Sequence, residues 1–213
     1  MSVLQFAIKD VNNLHKEKLA VKQAFISDDV DVTCLGSLAR YIQSQELKHL
    51  TEKQTALFTS QILEGLDYLH RHKIIHRDIK ASNILMKTDF EVQISDFGVA
   101  KILNTFSKSH TKGTGTCHWM APEILQEVPY DSKVDIWSLG CTVYQMITGK
   151  QPFSELTEQQ MIVRALKNEL QLSSPEQISL KLKDILRLMC MKNPTERPNA
   201  SELMNHTFIT GKN

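Results

Sequence analysis

Apolar residues recur at helical spacing over one long stretch of the chain. Phe58, Ile62, Leu66 and Leu69 fall on one face, which predicts a helix with that face buried. Its start is marked by Leu50-Thr51-Glu52-Lys53-Gln54. Thr51 can cap it, and Gln54, three residues on, completes a capping box. Ile84-Leu85-Met86 and Val92-Gln93-Ile94 read as two short strands, with Lys87 to Phe90 turning between them. The segment from Lys133 to Ile147 is different. Val134, Ile136, Trp137, Leu139, Cys141, Val143, Tyr144, Met146 and Ile147 cover nearly every face, which predicts a central helix wrapped by protein on all sides. Gly149 then ends it. Amphipathic stretches at about 157–167 and 178–191, and a short one near 199–205, predict three more helices. The first 35 residues are less regular. Ser2 to Val11 reads as a strand, His15 to Gln23 as a helix or a second strand, and Ser27 to Asp31 as a polar turn.

Composition narrows the classes without naming one. The chain has 213 residues, 41% of them apolar, enough for one well-filled core. Lys and Arg number 25 against 24 Asp and Glu, a net charge of +1. That balance excludes a highly charged disordered chain and argues against an electrostatic nucleic-acid or membrane-surface binder. No apolar stretch approaches the roughly 20 residues of a membrane span. Met1 to Val11 carries Gln5, Lys9 and Asp10 and does not read as a secretory signal. The four cysteines, Cys34, Cys117, Cys141 and Cys190, are far apart. A disulfide scaffold or zinc site is not expected, and a cytoplasmic setting is.

Candidate chemistry is concentrated in three short runs. Residues 76–83 read His-Arg-Asp-Ile-Lys-Ala-Ser-Asn, residues 96–98 Asp-Phe-Gly, and residues 121–123 Ala-Pro-Glu. In this order, with a strand pair between the first two, they resemble the motif set of the protein kinases. The resemblance covers at least residues 36–210. It implies an α+β, protein-kinase-like fold: mostly the helical C-lobe around a buried central helix, with an incomplete N-terminal β lobe. Ile79 departs from the pattern, which has Leu there, by a conservative apolar swap.

The same resemblance implies roles. Asp78 would orient the substrate hydroxyl and accept its proton, and Lys80 would reach the transferring phosphate. Asn83 and Asp96 would supply oxygen ligands to Mg2+. Leu85 would floor the adenine of ATP, and Gly98 would relax the backbone after Asp96. Thr116 would bridge Asp78 and Lys80. His76 would pack rather than shuttle protons, and a zinc site among His70, His72 and His76 is the alternative to weigh against it. Glu123 would pair with Arg197. Asp135, too costly to bury unpaired, would accept hydrogen bonds from the catalytic-loop backbone. Thr111 and Thr114 stand out as phosphorylation sites, and a phosphate there would pair with Arg77. Lys80 and the Gly115-Thr116 run resemble Ser/Thr rather than Tyr kinases. The Trp119-Met120-Ala121-Pro122-Glu123 run is most similar to the MAP kinase kinase kinase and Ste20-like group.

Part of the family pattern is missing. There is no GxGxxG, and the first glycine is Gly36. Phe6-Ala7-Ile8-Lys9 and Leu19-Ala20-Val21-Lys22 both resemble the strand-lysine motif Val-Ala-Ile-Lys. Only 13 residues separate Lys22 from Gly36, and 26 separate Lys9 from it. A helix, two strands and their connections need about 30. Residues 1–35 are therefore expected to be a truncated or internally deleted N-lobe, and 36–210 the C-lobe. Losing about three charge-assisted hydrogen bonds would weaken ATP binding roughly a thousandfold or more. Two functions follow. One is a Ser/Thr kinase acting on a protein substrate, such as a downstream kinase. The other is an impaired, kinase-like binding or regulatory module, with a partner protein covering the exposed C-lobe cleft.

Overall fold

The computed structural model describes residues 35–102, 116–167, 169, 171 and 177–212. Lys9, Lys22, Thr111, Thr114 and Cys34 lie outside these residues, as do the elements expected before residue 35.

Helix α1, Leu38–Ser44, starts at Ser37, whose hydroxyl accepts the Arg40 N–H at 3.3 Å. Helix α2, Glu52–Arg71, has the full Thr51/Gln54 capping box, a device worth about 1 kcal/mol. Its buried face carries Phe58, Ile62, Leu63, Leu66 and Leu69. Strand β1, Ile74–Ile75, follows, then a 3-10 turn, Ala81–Asn83, and the hairpin of β2, Ile84–Thr88, with β3, Glu91–Ile94. These strands are antiparallel, with Ile84 opposite Ile94 and Leu85 opposite Gln93. They run further than the expected turn at 87–90 allows. The register shifts between Met86 and Thr88, so a bulge absorbs Lys87 and the reversal narrows to Asp89–Phe90. Gln61 of α2 clamps the hairpin. Its Nε2 donates to Phe90 O and its Oε1 accepts the Val92 N–H, both at 2.8 Å.

Strand β4, Lys101–Ile102, pairs antiparallel with β1. The remaining helices are α3, Pro122–Leu125; α4, Lys133–Thr148; α5, Glu158–Leu166; α6, Leu180–Met189; α7, Ala200–Leu203; and α8, Thr207–Thr210.

Helix α4 is apolar all round because it divides two cores. Ile136, Leu139, Val143 and Met146 belong to the core shared with α2, the hairpin, α6 and α7. Val134, Trp137 and Cys141 belong to the other, with Trp119, Phe153 and Met161. Each such side chain contributes roughly 1.5–3 kcal/mol on leaving water. The helix ends at Gly149 with φ 67°, where a Cβ would sit 2.0 Å from Lys48 O. Only glycine fits that left-handed, backbone-crowded turn.

The architecture is mixed helix and strand with few strands, the α+β arrangement expected. Among the described residues no helix is long and apolar enough to cross a membrane.

Candidate active site

The loop leaving β1 is shaped by one buried carboxylate. Asp135, in the first turn of α4, is fully buried. Its Oδ2 accepts the His76 N–H at 2.9 Å and its Oδ1 the Arg77 N–H at 2.8 Å. His70 Nε2 lies 2.8 Å from Oδ2. Burial works against the Asp135 charge, yet the His70 contact and the His76 N–H outweigh it and hold the carboxyl below its ordinary range. Arg77 takes φ 68° in this loop, a left-handed conformation that a non-glycine residue keeps only when its surroundings enforce it.

That bend turns Asp78 inward, where three side chains meet its carboxylate. Lys80 Nζ lies 2.8 Å from Oδ2, and Asn83 Nδ2 donates to the same oxygen at 2.8 Å. Thr116 donates to Oδ1 from both its N–H and its hydroxyl, each at 3.2 Å. Lys80 Nζ also reaches Thr116 Oγ1 at 2.5 Å. Partial burial raises the Asp78 pKa, but Lys80, then Asn83 and the Thr116 N–H, more than offset it, so the carboxyl sits below its ordinary value and stays charged.

The hairpin register brings the other two carbonyl-type groups to this end. With Ile84 opposite Ile94, Asn83 precedes one strand and Asp96 follows the other. Ser95 fastens them: its N–H and its hydroxyl both donate to Asn83 O at 2.8 Å. Asn83 spends its amide N–H on the Asp78 carboxylate and carbonyl, and among the described residues no hydrogen bond ends on its Oδ1. Asp96 accepts the Gly98 N–H on Oδ1 at 3.2 Å and is otherwise exposed. Two hard oxygen donors at one site fit a divalent cation such as Mg2+.

The backbone takes a left-handed φ of 61° at Asp96, two residues before Gly98. A Cβ on residue 98 would stand 3.1 Å from Asp96 Oδ1, so the glycine serves close approach to that carboxylate.

His76 is fully buried with both ring nitrogens engaged. Nε2 faces Ser95 O at 2.9 Å, and Nδ1 accepts the Asp78 N–H at 3.3 Å, which assigns a neutral ring protonated on Nε2. Burial pushes its pKa down against the pull of Asp135. The ring meets Phe97 edge-on at 4.9 Å. His70, His72 and His76 go to separate partners, Asp135, Tyr68 O and Ser95 O. Among the described residues no three His, Cys, Asp or Glu side chains converge for a metal, so the zinc alternative falls. Arg77 places its guanidinium on Val99 O and on Tyr130 OH. Leu85, half-buried, bridges to Ser37 from the middle of β2. Glu123 and Arg197 meet as expected, Nη1 to Oε1 at 2.8 Å.

The family description "Protein kinase domain" matches residues 8–209. The chain belongs to the protein kinase family. It is similar to the serine/threonine-protein kinase dst1 of Dictyostelium discoideum, 44% identical over 79% of this chain and 23% of that protein. The serine/threonine-protein kinase cst-1 of Caenorhabditis briggsae is 38% identical over 97% of this chain and 44% of its own length. Mitogen-activated protein kinase kinase kinase 3 of Homo sapiens is 36% identical over 98% and 34%. The kinase chain thus spans less than half the length of these relatives.

Two parts of this kinase site escaped the motif reading. His70 falls four residues after Leu66 on the apolar stripe of α2, and a polar residue on a core-facing row signals a buried partner. Ser95 carries no such periodic sign, because its role rests on strand register.

Proposed function

We propose that this chain transfers the γ-phosphoryl group of ATP to Ser or Thr hydroxyls of protein substrates. The observation that carries this is the Asp78 carboxylate, held charged by Lys80, Asn83 and Thr116 at the end of the hairpin that presents Asp96. Asp78 aligns the acceptor hydroxyl and takes its proton. Lys80 neutralises charge next to it, and Thr116 fixes the distance between the two. Asn83 Oδ1 and the Asp96 carboxylate would hold Mg2+. When bound, ATP with its metal supplies the transferable phosphoryl group and the counter-charge. Leu85 and Gly98 line the nucleotide side, with Lys9 or Lys22 as the strand lysine. Arg77 receives a phosphate on Thr111 or Thr114.

Residues 1–35 are read as the remnant of a kinase N-lobe and 36–210 as the C-lobe, in keeping with a family match that begins at residue 8. The substrate we favour is a downstream kinase, in keeping with the names of the similar kinase kinase kinases. A reducing cytoplasm suits the free thiols of Cys117, Cys141 and Cys190.

Purified chain with labelled ATP, Mg2+ and a generic basic protein tests this reading. Phosphate incorporation into Ser and Thr that Asp78→Asn abolishes supports it. No incorporation, together with no melting shift at millimolar ATP, overturns it in favour of the partner-binding module.

A further inference from the structure

Asn83 and Asp96 can share a small divalent cation only if their spacing is fixed, because such an ion tolerates little error in its ligands. The β2–β3 ladder that carries them ends at Ile84 and Ile94. Beyond that pair the two strands part. Asn83 closes the 3-10 turn Ala81–Asn83, and Asp96 takes its left-handed φ. Among the described residues no hydrogen bond runs directly between Asn83 and Asp96.

Ser95 bridges this gap. Its N–H and its hydroxyl both end on Asn83 O at 2.8 Å. The N–H bond is one that almost any residue could make there, whereas the hydroxyl bond belongs to this side chain. From the other side, Ser95 O faces His76 Nε2 at 2.9 Å, and His76 is fully buried and tied by its N–H to Asp135. Ser95 is thus gripped between two anchored groups. It stands immediately before the member of the pair that has least to hold it. Asp96 is exposed and receives one hydrogen bond, from the Gly98 N–H, and a left-handed backbone persists only where neighbours enforce it. The Asn83 side chain is fixed separately, since Nδ2 is spent on Asp78 O and Oδ2. What the pair lacks without Ser95 is a set distance.

We infer that Ser95 is a positioning residue for a divalent cation: its hydroxyl, through Asn83 O, fixes the spacing between Asn83 Oδ1 and the Asp96 carboxylate. The inference rests on reading those two groups as the metal ligands. Groups that stand behind metal ligands and orient them change affinity about tenfold to a hundredfold when removed. A serine that merely closed the hairpin would alter folding and leave the affinity for the cation alone.

Mn2+ alone, titrated into the whole folded chain and followed by loss of its free EPR signal, tests this without nucleotide or phosphotransfer. The parent chain is expected to bind, and Asp96→Asn to lose that binding. Ser95→Ala is expected to bind about tenfold more weakly at a urea midpoint close to the parent's, because the residue 95 N–H still pairs with Asn83 O. Ser95→Thr keeps the hydroxyl and is expected to stay within a few-fold of the parent. A Ser95→Ala chain that binds as the parent does, while Asp96→Asn does not, overturns this inference and leaves the ligand assignment standing. A Ser95→Thr chain as weak as Ser95→Ala overturns it too, since the hydroxyl would then not be what matters. A parent that takes up no Mn2+, or an Asp96→Asn chain that binds equally well, overturns the ligand assignment and this inference with it.

Discussion

Arg197 and Glu123, 74 residues apart in the chain, meet as a two-pronged ion pair with no access to water. Nη1 donates to Oε1 at 2.8 Å and Nη2 to Oε2 at 3.2 Å, and the two residues are 0% and 4% exposed. A buried pair is tolerable only if the remaining donors are satisfied. Here they are: Nε and Nη2 donate to Met191 O, and Nη1 donates to Lys133 O. The guanidinium also lies 5.3 Å from the Trp137 ring centre, a desolvated cation–π contact. The Ala-Pro-Glu segment is thereby tied to the end of the helical lobe.

Removing one partner strands the other in the core. Glu123→Ala or Arg197→Leu is expected to lower unfolding free energy by about 3–5 kcal/mol. Urea denaturation followed by circular dichroism checks this. A loss under about 1 kcal/mol, the range of an exposed pair, would contradict the burial argument.

Thr116 sets the spacing between Asp78 and Lys80, since its hydroxyl touches Asp78 and receives Lys80. Thr116→Val removes both contacts while keeping the shape. Hydrogen bonds to charged groups are worth about 1.5–3 kcal/mol, so kcat is expected to fall about tenfold to a hundredfold. Thr116→Ser retains the hydroxyl and is expected to stay within a few-fold of the parent. Steady-state kinetics of the two variants side by side gives the answer. Equal losses would show that the methyl group matters rather than the hydroxyl.

Much of the convergence at this site is legible in the sequence, and the reason is physical. Asp78, Lys80 and Asn83 lie within one loop, so their meeting needs only local geometry. Thr51/Gln54 and the all-round apolar face of α4 are likewise local or periodic signals. Helix α1 was not foreseen, because seven residues are too short for its buried Leu38 and Ile42 to establish a period. The ladder between β1 and β4 was missed for a related reason. It pairs only Ile74 and Ile75 with Ile102 and Lys101, two residues on each side joined across the chain. The left-handed φ at Asp96 carries no sequence signal, because a non-glycine residue takes that conformation only where its surroundings enforce it.

Acid should weaken this fold in two steps. Burial depresses the His76 pKa, while Asp78 and Asp135 are held below the ordinary carboxylate value by their donors. In each case the folded form binds its proton less tightly than the unfolded chain does. The stability involved is therefore present above the unfolded value and is lost as pH falls through the folded one. The urea midpoint is expected to hold steady down to about pH 6.5, then decline through His76, and decline again across the carboxylate range near pH 4. In Asp135→Asn the second decline should shrink, so the gap between variant and parent narrows on acidification. A midpoint that rises on acidification would have the wrong sign for all three groups.

Gly140 marks the closest approach of α4 to the end of α6. A Cβ there would lie 2.6 Å from Cys190 Sγ and 3.0 Å from Met189 Cβ. On an isolated helix, Gly→Ala would stabilise by up to about 1 kcal/mol. In this position the clash has to be relieved by moving α6 or turning Cys190 out of its rotamer. Overpacking of this kind costs about 1–3 kcal/mol, so packing is expected to win over propensity and Gly140→Ala to destabilise. Adding Cys190→Ala removes the nearer obstacle and should recover part of the loss, while Met189 still limits the gain. Thermal unfolding of the single and double variants separates the two contributions. A single variant more stable than the parent would mean that the seam between α4 and α6 gives way more easily than its contacts imply.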